Sequence, residues 1–184
     1  MSQALPDPLA RHALARVATL AREVTLVLTV ALAIAASARI VFPLGFTPVP
    51  VTAQTFVVLV AGTLVGARRA GGGALTYLAL GVAGVPWFAT GGATLGYLAG
   101  FALAAHLVGR AADAGALTTR RSALGVMALA HVTIYALGAT WLAFFLGVGP
   151  VTALTLGVVP FLAGDAVKVL GAAAIAPSLV RLRG

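Results

Sequence analysis

The chain has 184 residues, of which 61% are hydrophobic and only 9% are charged, and its mean hydropathy is +1.07. A soluble domain could not bury this much apolar surface, so the composition excludes an ordinary water-soluble fold. The formal net charge of +8 does not indicate nucleic-acid binding, because the arginines are dispersed along the chain, and the absence of Cys excludes disulfides and thiolate metal sites.

The cationic residues follow a regular pattern along the chain. Ten of the twelve Lys and Arg residues fall in four places. Between those places lie six apolar stretches, and every second junction has no Lys or Arg in its loop. This asymmetry is expected of a six-span membrane protein with both termini in the cytoplasm. We therefore predict an all-α integral membrane protein, a six-helix bundle with structured outer loops, located in the cell membrane.

The chain divides into a short tail and one membrane domain. Residues 1–23 are predicted to form a cytoplasmic tail, in which residues 9–20 would be a short amphipathic interfacial helix. Residues 24–184 are predicted to form a single membrane domain, because six crossings of roughly 20 residues each use most of the chain. The six predicted spans cover residues 24–41, 53–66, 71–85, 94–109, 124–146 and 160–180.

The predicted outer loops are apolar and uncharged. Residues 42–52 contain three prolines and one glycine, which prevent a continuous helix, so this segment is expected to pack back onto the bundle as a lid. Thr52 is positioned to cap the N-terminus of the second span. Residues 86–93 form the second outer loop, and a short outer helix is predicted between residues 151 and 159.

Small residues recur at four-residue spacing in the predicted spans, as in Gly96 and Gly100. Such pairs let helices approach closely in lipid, and packing within the chain explains most of them. Ala31 and Ala35 differ, because they belong to an alanine-rich first span that is smooth on several sides. We expect Ala31 and Ala35 to form a docking face for another membrane subunit.

Three charged residues are predicted to lie inside the membrane. Asp165 and Lys168 stand three positions apart on the sixth span, so they share one helix face and can neutralise each other. An ionisable pair in a membrane helix indicates a functional site by default, and a structural salt bridge is the alternative. Arg39 lies at the outer end of the first span, where ligand contact and snorkelling to the interface fit equally well.

The remaining polar candidates lie in or beside the outer loops: Thr47, Gln54 and Thr94. Together with the three charges, they predict a small-molecule pocket in the outer half of the bundle. His131 and Tyr135 are one helical turn apart on the fifth span. They fit packed, hydrogen-bonded residues better than a metal site, because no carboxylate stands beside them in the sequence.

No motif for catalysis or for ATP use occurs in the sequence. It contains neither a His-Glu-x-x-His motif nor a Gly-x-Ser-x-Gly elbow, and it lacks a Gly-x-x-x-x-Gly-Lys-Ser/Thr phosphate-binding loop. The chain is therefore not predicted to be an enzyme, and no cofactor is expected. Active transport would need energy from a partner or from an ion gradient.

Several sequence blocks carry a family resemblance. The first reads ARIVFPLGFTPVPVTAQTF and the last reads PFLAGDAVK, and the blocks cover residues 38–56, 64–69, 84–88, 96–101, 134–142 and 160–168. At these residues the chain resembles the BioY family, the biotin-specific substrate-binding subunits of energy-coupling-factor transporters. One departure is the segment Gly92-Ala-Thr-Leu-Gly-Tyr97, which is shorter than the family pattern.

The resemblance implies a six-helix bundle that binds biotin near its outer side. It also implies association with a transmembrane coupling subunit and a pair of cytoplasmic ATPases, with the first helix as the docking surface. In such a site Asp165 would accept hydrogen bonds from the ureido N–H groups, and Lys168 would donate to the ureido carbonyl. Arg39 or backbone amides of the glycine loop would meet the biotin carboxylate. The aromatic residues that would cover the apolar ring are Phe46, Trp87 and Tyr97.

Two alternatives stay open at this stage. A substrate-binding subunit for another vitamin would bind thiamine or riboflavin tightly instead of biotin. A membrane protein of a different class would be either an enzyme, which forms product at Asp165, or a self-sufficient ion-coupled carrier. The carrier would take up its substrate without partners and would stop when an ionophore collapses the gradient.

Overall fold

The structure, a computed structural model, describes residues 8–88 and 92–183. Within these ranges a small antiparallel hairpin pairs strand β1 (Val41–Phe42) with strand β2 (Val51–Thr52). Single turns of 3₁₀ helix at Gly92–Thr94 and Val159–Phe161 precede two of the α-helices. The described α-helices are α1 (Pro8–Ser37), α2 (Gln54–Val65), α3 (Ala67–Val82), α4 (Leu95–Asp113), α5 (Arg120–Leu146), α6 (Pro150–Gly157) and α7 (Leu162–Arg181).

The described part of the chain is mostly helical and strongly apolar, as predicted. Four helical segments are long and apolar enough to cross a membrane, namely Leu14–Ser37, Gly92–Asp113, Arg120–Leu146 and Pro150–Arg181. Helix α2 is apolar but shorter, and α3 begins with two arginines and a run of glycines. The membrane character of the fold is therefore confirmed, whereas the count of six crossings and the side on which the termini lie stay predictions.

The helices run between two opposite ends of the bundle. The hairpin end carries strands β1 and β2. The arginine end carries two ion pairs, in which Arg69 bonds Glu23 and Arg183 bonds Asp113. The Asp113 carboxylate also accepts a hydrogen bond from the backbone N–H of Ala67, at 3.0 Å. These contacts join α1, α3, α4 and the segment after α7 at the end opposite the hairpin.

Helix α4 lies at the centre and packs against α2, α3 and α5. Glycines make these close approaches possible, as the spacing of small residues predicts. A Cβ added at Gly100 would lie 2.8 Å from the Cα of Ile134 on α5, and one added at Gly62 would lie 2.8 Å from the carbonyl oxygen of Ala105 on α4. The small-residue pairs therefore serve packing within the chain.

Helix α1 differs from the prediction at its start. The segment expected to form a separate interfacial helix is continuous with the first span from residue 8 onward, and residues 14–22 are exposed along it. Residues 1–7 of the predicted tail lie outside the described residues. The first span also ends at Ser37, before the predicted boundary at Val41, because Val41 belongs to the hairpin.

The expected docking face on α1 requires a correction. Ala31 and Ala35 are only 1% and 3% exposed, and they belong to the core together with Ile34. They therefore cannot form an exposed surface in this conformation. The outward face of α1 carries larger side chains instead, among them Leu28 and Leu32, which are 45% and 60% exposed.

Candidate ligand-binding site

A cavity of about 180 Å³ lies at the hairpin end, between the hairpin and helices α2, α4, α5 and α7. Most of its wall is apolar, and a few polar groups point into it from several elements. This composition is typical of a small-molecule site. The polar lining residues are Thr52, Gln54, Thr55, Thr94, Tyr97, Tyr135, Asp165 and Lys168.

Asp165 has four hydrogen-bonding partners, Thr55, His131, Tyr135 and Lys168, and is only 6% exposed. Its Oδ1 accepts hydrogen bonds from Lys168 Nζ at 2.7 Å and from Thr55 Oγ1 at 3.4 Å. Its Oδ2 accepts from the Tyr135 hydroxyl at 2.7 Å and lies 3.0 Å from Nε2 of His131. The carboxylate is therefore held jointly by α2, α5 and α7.

Asp165 lies at the start of its helix. It stands in the first turn of α7, where the helix dipole is favourable for a negative charge. Lys168 lies three residues further on and supplies the opposite charge in an ion pair of 2.7 Å. A buried charge needs both a partner and hydrogen bonds, and Asp165 has both.

Lys168 also makes contact outside its own helix. Its Nζ donates to the backbone carbonyl of Thr52, the last residue of β2, at 2.6 Å. The predicted intrahelical pair is thus present, and its cation reaches the hairpin as well. Both members of the pair line the cavity.

Gln54 begins α2 and is buried in a short chain of hydrogen bonds. Its Nε2 donates to the Tyr77 hydroxyl at 2.9 Å, and its Oε1 accepts from Thr52 Oγ1 at 3.1 Å. Thr52 was predicted to cap the second span, but Ala53 occupies the cap position. The Thr52 hydroxyl nevertheless accepts from the backbone N–H of Gln54 at 3.3 Å, which orders the entry into α2.

Tyr97 and Thr94 bring the start of α4 to the cavity. The Tyr97 hydroxyl donates to the carbonyl oxygen of Gly157 at 2.7 Å, which ties α4 to α6. A Cβ added at Gly138 or Gly157 would collide with the Tyr97 ring or hydroxyl. These two glycines therefore leave the room that the tyrosine occupies.

Four residues predicted at the site lie elsewhere. Arg39 is exposed, and its guanidinium carbon lies 5.3 Å from the ring centre of Trp87, which is itself 70% exposed. Phe46 is 64% exposed at the hairpin loop. Thr47 is turned away as well, because its hydroxyl donates to the Leu156 carbonyl at 2.8 Å and ties the hairpin to α6. The structure does not bring Arg39, Phe46, Thr47 or Trp87 into the cavity wall.

Sequence reasoning missed three polar residues that surround Asp165: Thr55, His131 and Tyr135. The one-turn spacing of His131 and Tyr135 in an apolar span was the available signal, and it did not identify their common acceptor on another helix. Thr55 gave no signal beyond its place next to Gln54. Within residues 8–88 and 92–183, no group of three or more His, Cys, Asp or Glu side chains could hold a metal ion.

Comparison with known proteins is consistent with the blocks seen in the sequence. The sequence model of the BioY family matches residues 8–184. A biotin transporter BioY from Thermotoga maritima is 38% identical over 157 residues, which are 81% of this chain and 90% of that protein. A biotin transporter BioY from Rhizobium etli is 34% identical over 145 residues, which are 71% of this chain and 77% of that protein.

A solved structure has the same fold. The crystal structure of the S-component for biotin from an ECF-type ABC transporter superposes with a TM-score of 0.76, at 24% identity, over 90% of this chain and 94% of that chain. The solved structure covers most of the chain, and the family model matches it from residue 8 to residue 184. The chain belongs to the BioY family.

Proposed function

We propose that this chain is the biotin-binding S subunit of an ECF-type transporter. One observation carries the proposal beyond family membership, and it is the Asp165–Lys168 pair in the wall of a mostly apolar cavity. Biotin combines a ureido ring, which has two N–H donors and one carbonyl acceptor, with an apolar thiophane and a carboxylate tail. A buried anion and a cation side by side match the ureido group.

The roles of the cavity residues follow from this match. Oδ1 of Asp165 accepts from a ureido N–H, a charge-assisted bond that is strong in a dry site. Lys168 donates to the ureido carbonyl, and Gln54 supplies a side-chain amide in the cavity wall. Tyr97 covers the apolar ring system. The tail carboxylate meets backbone amides of the 3₁₀ turn Gly92–Thr94, directly before α4.

The topology proposed for this function places the hairpin end outside the cell and the arginine end in the cytoplasm, with six crossings of the cell membrane. Three observations support it. The arginines other than Arg39 cluster at one end, the remaining loops at the hairpin end are uncharged, and the four longest apolar segments can each span a bilayer. Because the sequence has no phosphate-binding loop, ATP hydrolysis belongs to two cytoplasmic ATPase subunits, coupled through a transmembrane subunit.

The decisive experiment is equilibrium binding of labelled biotin to the purified chain in detergent, with thiamine and riboflavin as competitors. We expect tight binding that excess biotin displaces and the other two vitamins do not. Asp165→Asn should weaken binding by about 10- to 150-fold, since one hydrogen bond to a charged group contributes roughly 1.5–3 kcal/mol. A folded, monodisperse sample that binds no biotin would overturn the proposal.

A further inference from the structure

The two oxygens of the Asp165 carboxylate have different partners. Oδ1 faces Lys168 and Thr55, which both line the cavity. Oδ2 faces only α5, where Tyr135 donates at 2.7 Å and His131 Nε2 lies at 3.0 Å. We call His131 and Tyr135 the α5 clamp. The clamp leaves Oδ1 as the oxygen that a ligand in the cavity can reach.

The two members of the α5 clamp pack against each other. Its members stand one turn apart on α5, and their rings pack edge to face with centroids 4.7 Å apart. Only one of the two, Tyr135, contributes to the cavity wall. His131 is 5% exposed and does not line the cavity, so any effect of His131 on a ligand must act through Asp165 or Tyr135, the two neighbours that do line it.

The environment of the second ring nitrogen of His131, Nδ1, is evidence against a role in packing alone. Nδ1 is buried and has no hydrogen-bond partner among the described residues. An unsatisfied buried nitrogen is unfavourable, and an aliphatic side chain would fill the same space without it. A carboxylate can only accept, so Nε2 must carry the hydrogen that meets Oδ2. The His131 side chain is therefore oriented to donate a hydrogen bond from Nε2 to Asp165.

The geometry points to His131 and Tyr135 as positioning residues that hold Asp165 in the orientation required by the ureido group. This inference rests on the proposed binding of biotin. Without the clamp, the carboxylate is free to turn both oxygens toward Lys168. Oδ1 then loses the fixed orientation in which a ureido N–H can reach it.

The first test separates positioning from packing at His131. His131→Gln keeps an N–H donor near the position of Nε2, whereas His131→Leu keeps the volume and removes the donor. We expect His131→Leu to weaken biotin binding by about tenfold, the loss of roughly one hydrogen bond to a charged group, and His131→Gln to stay within about threefold of the unmodified chain. A packing role gives the opposite order, since leucine suits an apolar site better.

The second test asks whether the clamp acts through Asp165. Tyr135→Phe should weaken biotin binding by about tenfold in the unmodified chain and by less than about threefold in an Asp165→Asn background. Equal losses in both backgrounds would overturn the inference. Thr133→Val is the matched control on α5, because among the described residues the Thr133 hydroxyl bonds only the Ala130 carbonyl of its own helix.

The outcomes also separate this inference from the proposed function. If the unmodified chain binds no biotin, the proposed function fails. If the unmodified chain binds and Asp165→Asn weakens binding, but neither His131→Leu nor Tyr135→Phe does, only the positioning role fails. Affinities are taken from full titrations, so a variant that folds in lower yield still gives its dissociation constant.

Discussion

The ammonium of Lys168 lies 2.6 Å from the backbone carbonyl oxygen of Thr52 and donates a hydrogen bond to it. Thr52 ends strand β2, and the neighbouring residues Val49, Pro50 and Val51 line the cavity. The cation that neutralises Asp165 therefore also fixes the position of the hairpin. Charge balance within the site and closure of its wall depend on the same side chain.

Removal of Lys168 should therefore affect stability and binding together. Lys168→Met leaves the buried Asp165 carboxylate without its counter-charge, and we expect a loss of roughly 3–5 kcal/mol in the free energy of unfolding, as for other broken buried pairs. This loss is measured by thermal unfolding in detergent, with tryptophan fluorescence as the signal. In the double variant Lys168→Met with Asp165→Asn, stability should recover in part while biotin binding stays lost. Unchanged stability of Lys168→Met would contradict this account.

The tether between the hairpin and α6 should control how long a ligand stays bound. Thr47→Val conserves shape but removes the hydrogen bond to the Leu156 carbonyl, and a typical net contribution of about 1 kcal/mol corresponds to roughly a fivefold change. We expect biotin dissociation to become about that much faster, as measured by chase with unlabelled biotin. Thr155→Val is the control, because in the described part of the chain the Thr155 hydroxyl bonds only the Val151 carbonyl within α6. Equal dissociation rates for both variants would show that this tether does not retain the ligand.

Close packing of α4 on α5 should make Gly100 intolerant of a side chain. Gly100→Ala places a Cβ 2.8 Å from the Ile134 backbone, so the helices must separate, and overpacking of this kind costs roughly 1–3 kcal/mol of unfolding free energy. Gly125→Ala on α5 is the matched control, since nothing lies within 4 Å of its added Cβ. That variant should be neutral or slightly stabilising. The two melting temperatures, measured side by side, check the difference.

Substitution of the residues that lie outside the cavity wall should have little effect on biotin affinity. Arg39→Gln and Phe46→Ala are each expected to change the biotin dissociation constant by less than about threefold, because neither side chain contacts the cavity and exposed charges contribute little. Gln54→Leu is the positive control within the wall. A loss of tenfold or more in Arg39→Gln would assign the biotin carboxylate to Arg39 after all.

Local patterns in the sequence predicted much of the fold. Glycines such as Gly66 and Gly147 mark the ends of helices, and all arginines except Arg39 lie toward the end of the bundle opposite the hairpin. The Asp165–Lys168 pair could be predicted because both residues stand on one helix face, where spacing alone brings them together. The spacing of small residues such as Gly100 likewise predicted close helix contacts, although it did not identify the partner helix.

Relationships between distant segments were not predictable in the same way. Thr55 and Tyr135 are separated from Asp165 by 110 and 30 residues of chain. The helical periodicity of the sequence does not predict contacts between segments so far apart. On α1, alanines occur on several sides, so the sequence gives no preferred inward face, and Ala31 and Ala35 turned out to be buried. Side chains in the loops, such as Trp87, have no periodicity that fixes their direction.

Side chains of three helices donate hydrogen bonds to Asp165, which limits how the ligand specificity of the chain can be changed. A variant that replaces the carboxylate releases bonds from α2, α5 and α7 at once, so recognition and bundle stability cannot be varied separately at this position. Leu98, Phe101 and Ile134 shape the same cavity but form no part of that network. Selection for new ligands is therefore expected to yield folded variants at the apolar wall first, with the carboxylate retained.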